Sequence, residues 1–376
     1  MKLLYISENK IYFCDNGKVK ELKSERVEKY TDAVKEINRN KEWKSSGTGA
    51  AFLGNINYSS ENENVPTSIK GVASFGDELI YALYLGGMGG IYRKSIEKPE
   101  ASEEHILTQM NTKIDEISYK NDKLAVVMNG HIAVVDMKGN YNEITDGDTD
   151  EANPFWSETD ERIFCSTAGY ARAENGIVAA VSPRSIMAID MKNNTMDELY
   201  SDEKTDYLKP SNDKDGNFYY ITQPYKVVKE NEPLWKDILL FPVRLIKAIG
   251  GFLNAFSVIF GGESLRGNKQ KGDVKMKQKS EKELYFEGRL IEAEKNEREN
   301  AAKGEKNAGI LPFNRVLVSV DSSGNEKILK RGVLDYVVLD DGSFICSNGR
   351  YILHIKEGEE SVIAKAKLAH SLCVLK

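Results

Sequence analysis

Three aspartates, Asp146, Asp148 and Asp150, have the D-x-D-x-D spacing with which a loop can gather oxygen ligands around calcium. Such a loop needs glycine at its sixth position and glutamate at its twelfth. Here those positions hold Glu151 and Ser157, so a turn between strands is the better reading. The run Gly86-Gly87-Met88-Gly89-Gly90 is too short for a dinucleotide fingerprint, and no helix pattern follows it, so it reads as a strand connection. The four histidines, His105, His131, His354 and His370, are scattered. The four cysteines, Cys14, Cys165, Cys346 and Cys373, form no CxxC pair and sit in strand-like contexts, where a thiol serves as a small buried hydrophobe. No G-x-S-x-G, P-loop, HExxH or paired-cysteine zinc motif is present. The expectation is a non-catalytic chain with no cofactor and no metal. The alternative is an enzyme or small-ligand binder whose acids are gathered from several strands.

Such residues must be positioned by a scaffold, and composition limits which. The chain has 376 residues, a formal net charge of -6, 29% charged and 40% hydrophobic residues. That supports a substantial core and one large or two ordinary domains. The acidity argues against a nucleic-acid partner, which would call for a basic face. The start, MKLLYISENKIYF, has no long apolar region before charge returns, and no disulfide pattern follows. A cytoplasmic location, or one peripheral to the inner membrane face, is therefore expected.

One short segment recurs six times: GKVKELKSE, ASEEHILTQ, GNYNEITDG, NTMDELYSD, GNEKILKRG and GEESVIAKA. Alternating segments precede most copies, such as HIAVVDM and YILHIKE, with Gly, Asn and Asp between them. That is the period-two signature of antiparallel strands. The third and sixth units are the cleanest, each of roughly 35 residues with four strands, the unit of a propeller blade. The C-terminal KLAHSLCVL reads as an inner strand without its blade. The N-terminal segment reads as three strands without an inner one. The sequence thus predicts an all-β, six-bladed β-propeller closed by N- and C-terminal strands in one blade, which removes exposed sheet edges. A largely helical insertion falls in blade five. Residues 1–230 and 310–376 form the propeller, and residues 231–309 the insertion.

The stretch ITDGDTDEANPFWSETDERIFCST resembles the TolB-like and WD-type propeller repeat. Thr145 and Asp146 in the turn, Pro154, Trp156, Ser157, Asp160 and the strand Ile163–Phe164 match it, while Glu161 stands where a glycine is usual. The repeat covers about three quarters of the chain. The resemblance implies a propeller acting as a binding platform. It carries over no catalytic residues, because the motif is structural.

Four long connections are expected on one face of the ring: 24–46, which has helical spacing at Val27, Tyr30, Ala33, Val34 and Ile37, then Gly87–Gly90, 170–183 and about 228–310. The last contains LWKDILLFPVRLIKAIGGFLNAFSVIFGG, from Leu234 to Gly262. At helical spacing, Trp235, Phe241, Ile246, Ile249, Phe252, Leu253 and Phe256 fall opposite a stripe with Lys236, Arg244 and Lys247. Pro242 interrupts the pattern. The charge-free part, Ala248 to Gly262, is shorter than the roughly 20 residues a bilayer span needs, so a surface-lying helix is the better expectation. A polybasic run with Lys269, Lys271, Lys275, Lys277 and Lys279 follows, the second signal for an anionic leaflet. Residues 280–306 read as a charged helix, with Ser280 and Glu283 spaced as a capping box. The expected partners, through residues 231–283, are a protein or an anionic membrane surface, with self-association through the apolar stretch. The alternative makes the insertion a lid over the central channel or its mouth.

Overall fold

Short apolar alternations separated by Asn, Asp and Gly fold here as antiparallel hairpins. The computed structural model describes residues 1–45, 67–98, 100–172, 178–225, 283–286 and 289–375. The first blade holds β1 (Lys2–Ser7), β2 (Lys10–Asp15) and β3 (Lys18–Leu22), and helix α1 (Glu25–Ser45) follows it. The second holds β4 (Thr67–Phe75), β5 (Glu78–Leu85), β6 (Met88–Ser95) and β7 (Glu104–Met110). The third holds β8 (Ile114–Lys120), β9 (Lys123–Met128), β10 (His131–Asp136) and β11 (Tyr141–Glu143). The fourth is β12 (Thr149–Trp156), β13 (Arg162–Arg172), β15 (Ser185–Asp190) and β16 (Thr195–Tyr200), with β14 (Val178–Val181) paired to the far end of β13. In the fifth, β17 (Thr205–Asn212) and β18 (Phe218–Pro224) pair with β21 (Val316–Val320) and β22 (Glu326–Arg331). The sixth is β23 (Asp335–Val338), β24 (Phe344–Ser347), β25 (Tyr351–Lys356) and β26 (Glu359–Lys365). The last strand, β27 (His370–Val374), hydrogen-bonds to β1, giving the order β27-β1-β2-β3. The chain is an all-β, six-bladed propeller.

Apolar cores lie between neighbouring blades. Leu4 and Ile6 of blade one pack with Ile69 and Tyr81 of blade two, and Ile80 and Ile91 pack with Val126 and Ala133 of blade three. Leu3 and Tyr5 of blade one pack with Ile345 and Ile352 of blade six. Three of the four cysteines are buried in this system. Burial pushes the Cys165 and Cys346 thiols up to about 12, so both are inert filling, as expected.

One turn recurs that the strand pattern does not reveal. Asp136, Asp213 and Asp321 each accept a backbone N–H from the residue four positions on, and there an asparagine donates its Nδ2 to the same carboxylate at 2.8–2.9 Å. Asp190 and Asn193 do the same at a spacing of three. The side chain thereby closes the hairpin before the strands pair.

Antiparallel order gives the ring two faces. Connections between first and second and between third and fourth strands share the turn face. Connections between second and third strands, and the crossings to the next blade, share the other. On that second face lie three of the expected long connections: the one after β3, the β13–β15 link and the β18–β21 link. The fourth, expected at Gly87–Gly90, is only the tight turn Gly86–Gly87 on the same face, because Met88–Gly90 pair with Leu83–Leu85 as the start of β6. α1 is helical as its spacing predicts. Val27 and Tyr30 pack on the core between blades one and two, while Ile37 is 51% exposed. The Tyr30 hydroxyl also covers Gly86, whose φ of 53° and lack of a Cβ admit the ring.

The insertion is described only at its C-terminal end. β19 (Glu283–Phe286) pairs with β20 (Arg289–Glu292), and α2 spans Ala293–Ala302. This corrects the expected helix over 280–306. ELYF and RLIE flank two residues ending in glycine, a hairpin signal that outweighs the capping-box spacing at Glu283. Trp235, Phe241, Ile246, Ile249, Phe252, Leu253, Phe256, Lys236, Arg244, Lys247, Lys269, Lys271, Lys275, Lys277 and Lys279 lie outside the described residues.

Candidate functional site

The first strands of the six blades surround the ring axis, and five of them, all but β23, carry a β-bulge that bends the strand. Pairing shifts between Ile69 and Gly71 in β4, Asp115 and Ile117 in β8, Ala152 and Phe155 in β12, and Leu208 and Ser211 in β17. Glu116, Asn153, Lys209 and Ser371 have positive φ there, from 36° to 54°. Gly71 shows how tight the waist is: a Cβ on it would sit 2.7 Å from the Glu116 Cα.

Residues of neighbouring first strands hold one another from blade to blade. Glu116 accepts the Asn153 backbone N–H and its Nδ2, the latter at 2.7 Å. Asn153 Oδ1 accepts the Lys209 N–H at 3.1 Å. The Lys209 ammonium lies 3.4 Å from Asp335, and Asp335 Oδ2 accepts the Leu372 N–H at 3.3 Å. Lys70 lies 3.9 Å from Asp115, and on the other face Asn9, in the β1–β2 turn, ties blade one to blade two by accepting the Ile69 N–H at 2.6 Å. Burial holds the Lys70 ammonium below its ordinary value, against the opposing pull of Asp115.

The waist forms the floor of a cup of about 580 Å³ that opens toward the turn face. Val72, Ile117, Pro154, Phe155, Val338 and Leu372 supply apolar wall, and Tyr219 and Tyr336 add aromatic rings. Both phenols are committed: Tyr219 donates to Asp213 at 2.8 Å, and Tyr336 donates to the Lys209 carbonyl at 2.7 Å. Glu158, Asp213, Asp215 and Asp340 stand at the rim with Lys214, which pairs with Asp340 at 2.6 Å. Counting the floor, six carboxylates line the cup against two lysines.

The residues singled out for chemistry in the sequence are not gathered here. Asp146 and Asp148 lie in the connection between blades three and four, as expected, whereas Asp150 falls in β12 and pairs with Arg184. His131 lies 2.9 Å from Glu151, which also accepts from Thr145. His105, His354 and His370 contact Thr108, Ser343 and the Leu368 carbonyl. Trp156 is buried and Asp160 binds Arg162, both in structural positions. Among the described residues, no group of three His, Cys, Asp or Glu could hold a metal ion, and no helix is long and apolar enough to cross a membrane. Sequence reasoning missed the floor residues. Glu, Asn, Lys and Asp at equivalent positions share no side-chain type, and only Pro154 and Pro210, each just after a bulged residue, hinted at the bend.

The insertion meets the ring on the other face, through a buried stem. Asn296 Nδ2 donates to the Ile310 carbonyl at 3.0 Å, and Asn300 Nδ2 to those of Gly309 and Leu311 at 2.8 and 2.9 Å. Ile310 and Leu311 pack with Leu334, at the entry to β23, and Leu368, at the entry to β27. Lys330 of blade five binds both Glu305 of the stem and Glu360 of blade six.

No protein-family model matches the chain, and no curated protein matches it. Among solved structures, TolB from Acinetobacter baumannii aligns with a TM-score of 0.47 and 10% identity, over 99% of this chain and 66% of TolB. The tricorn protease aligns with a TM-score of 0.47 and 11% identity, over 98% of this chain and 33% of that one. A protein from Lactobacillus plantarum gives 0.43 and 9%, over 99% and 98%. The chain thus spans just under two thirds of TolB and a third of the tricorn protease. TolB, which the Thr145–Phe164 segment resembles, is among these neighbours; the number of blades rests on the sheets themselves.

Proposed function

We propose that the chain is a non-catalytic binding scaffold that presents its blade-five insertion, residues 231–309, to a protein partner or to an anionic membrane surface. The stem carries this reading. A segment that must engage another surface needs a fixed base: Asn296 and Asn300 brace the stem internally, and Lys330, Asn348 and Arg350 of the ring bind Glu305, the Asn307 carbonyl and Glu297 of the stem. The waist supports the non-catalytic part, because Glu116, Asn153, Lys209 and Asp335 are committed to holding neighbouring blades. In this reading the sheet β27-β1-β2-β3 is the clasp that closes the ring and keeps the base rigid. Trp235, Phe252, Leu253 and Phe256 supply the apolar contact, and Lys269 to Lys279 the cationic one.

Co-sedimentation with vesicles of phosphatidylglycerol and phosphatidylcholine, against phosphatidylcholine alone, tests the membrane arm. The expected result is retention on the anionic vesicles, lost in a Phe252→Ser, Leu253→Ser, Phe256→Ser variant. Unchanged retention in that variant removes the membrane arm. Affinity capture from cell extract, with and without residues 231–308, tests the protein arm. The same captured set from both chains would overturn the scaffold reading.

A further inference from the structure

The cup on the turn face belongs neither to the insertion nor to its stem. Its floor groups are satisfied, yet their charges and those of the rim remain. Six carboxylates and two lysines leave a formal excess of four negative charges around a half-enclosed space. A cleft lined mainly by one sign of charge focuses such a field. The about 580 Å³ of space lies in the range that takes a small organic molecule, and its walls mix apolar and polar surface in similar shares. Phe155, Tyr219 and Tyr336 add aromatic side chains to the lining, and aromatic rings attract cations. Net negative charge, aromatic rings and apolar wall in one cavity favour a single ligand chemistry.

We propose that the cup binds a small organic cation with an apolar body, of the aryl- or alkylammonium class, with the apolar body between the walls and the ammonium toward Asp215 and Glu158. Asp215 and Glu158 are exposed rim carboxylates, while Asp340 pairs with Lys214 and Asp213 closes its own turn. The inference stands apart from the scaffold reading, since it concerns the opposite face and no residue of the insertion.

Titration of the full chain with phenethylammonium chloride, 2-phenylethanol and sodium phenylacetate, followed by ligand-observed NMR, tests it. These probes share a ring and differ in charge. The expected order is saturable binding of the ammonium, at least about tenfold weaker binding of the alcohol, and none of the carboxylate. Raising salt from about 20 mM to about 500 mM should weaken the ammonium progressively. An Asp215→Lys, Glu158→Gln variant should lose about tenfold in ammonium affinity at an unchanged melting temperature. Glu97→Lys, a charge reversal at a turn of blade two, should leave it within about twofold. Equal binding of the three probes, binding of none, or wild-type affinity in the rim variant would overturn the proposal. So would an equal loss in Glu97→Lys, which would mark the effect as general surface charge.

Discussion

Asp335 concentrates the most consequences in one side chain. It is 5% exposed, pairs with Lys209 of blade five, and accepts backbone N–H groups from Tyr336 and from Leu372 of β27. Asp335→Ala would take a carboxylate away from the shielded Lys209 ammonium and from two backbone donors, a loss of about 3 kcal/mol. Urea denaturation should report a lower midpoint, and Asp335→Asn should recover part of it by accepting one N–H. A midpoint within error of wild type for Asp335→Ala would mean that the waist does not hold the blades together. The hairpin aspartates act differently. Asn140 holds the Asp136 carboxyl below its usual range, as Asn193 and backbone N–H groups do for Asp190 and Asn325 for Asp321. A folded-state value below the unfolded one means stability that is fully present above the unfolded pKa, near 3.9, and lost as pH falls through the folded value. Thermal melts below about pH 4 should therefore fall less steeply in an Asp136→Asn, Asp190→Asn, Asp321→Asn variant than in wild type. Parallel acid limbs would show that these turns contribute nothing that titrates.

The stem is the element whose behaviour separates a presented insertion from a passive loop. Asn300→Ala removes the donors to the Gly309 and Leu311 carbonyls, at a cost of about 1–3 kcal/mol. If the stem opens as a local unit, limited proteolysis should cut within 283–311 faster in this variant while the urea midpoint of the ring stays in place. A midpoint that drops with no new cleavage would instead make the stem part of the core of the ring. The elements were unevenly legible in the sequence. Blades three and six could be read directly because alternation and Asn/Gly turns agree there, as in LAVVMNG before HIAVVDM. α1 could be read from Val27, Tyr30 and Val34. The β19–β20 hairpin could not, because Ser280 and Glu283 mimic a helix start and four-residue strands carry too little period to outweigh it. The waist was hidden for another reason. A bulge is a backbone event, and Glu116, Asn153 and Lys209 share a conformation rather than a chemistry. The Asp-to-Asn turns were open to reading at spacings of three and four, and their recurrence marks the same hairpins as the strand pattern.

At the scale of the whole molecule, the question is whether the ring needs its clasp. β27 gives blade one its innermost strand, and Leu3, Leu4 and Ile6 of the neighbouring β1 are fully buried. Cys373 and Leu375 pack toward blade two, while Ala369, Leu372 and Val374 pack with the core shared with blade six. Ending the chain at Lys367 would remove all of these and bare one edge of β1. Fully uncovering three aliphatic side chains costs about 5–8 kcal/mol, comparable to the whole stability of an ordinary domain. An open edge beside them also invites association with other copies. The truncated chain should therefore lose its cooperative thermal transition, measured by circular dichroism, and elute as aggregate. A circular permutant separates loss of the clasp from loss of mere length. Joining the two ends through a short glycine-rich linker and opening the chain at the exposed Glu357–Gly358 turn keeps every described strand whole but moves the break out of the blade-one sheet. That permutant should melt near wild type. A truncated chain with the wild-type transition would show that five blades and an open edge suffice, and the clasp would then be dispensable.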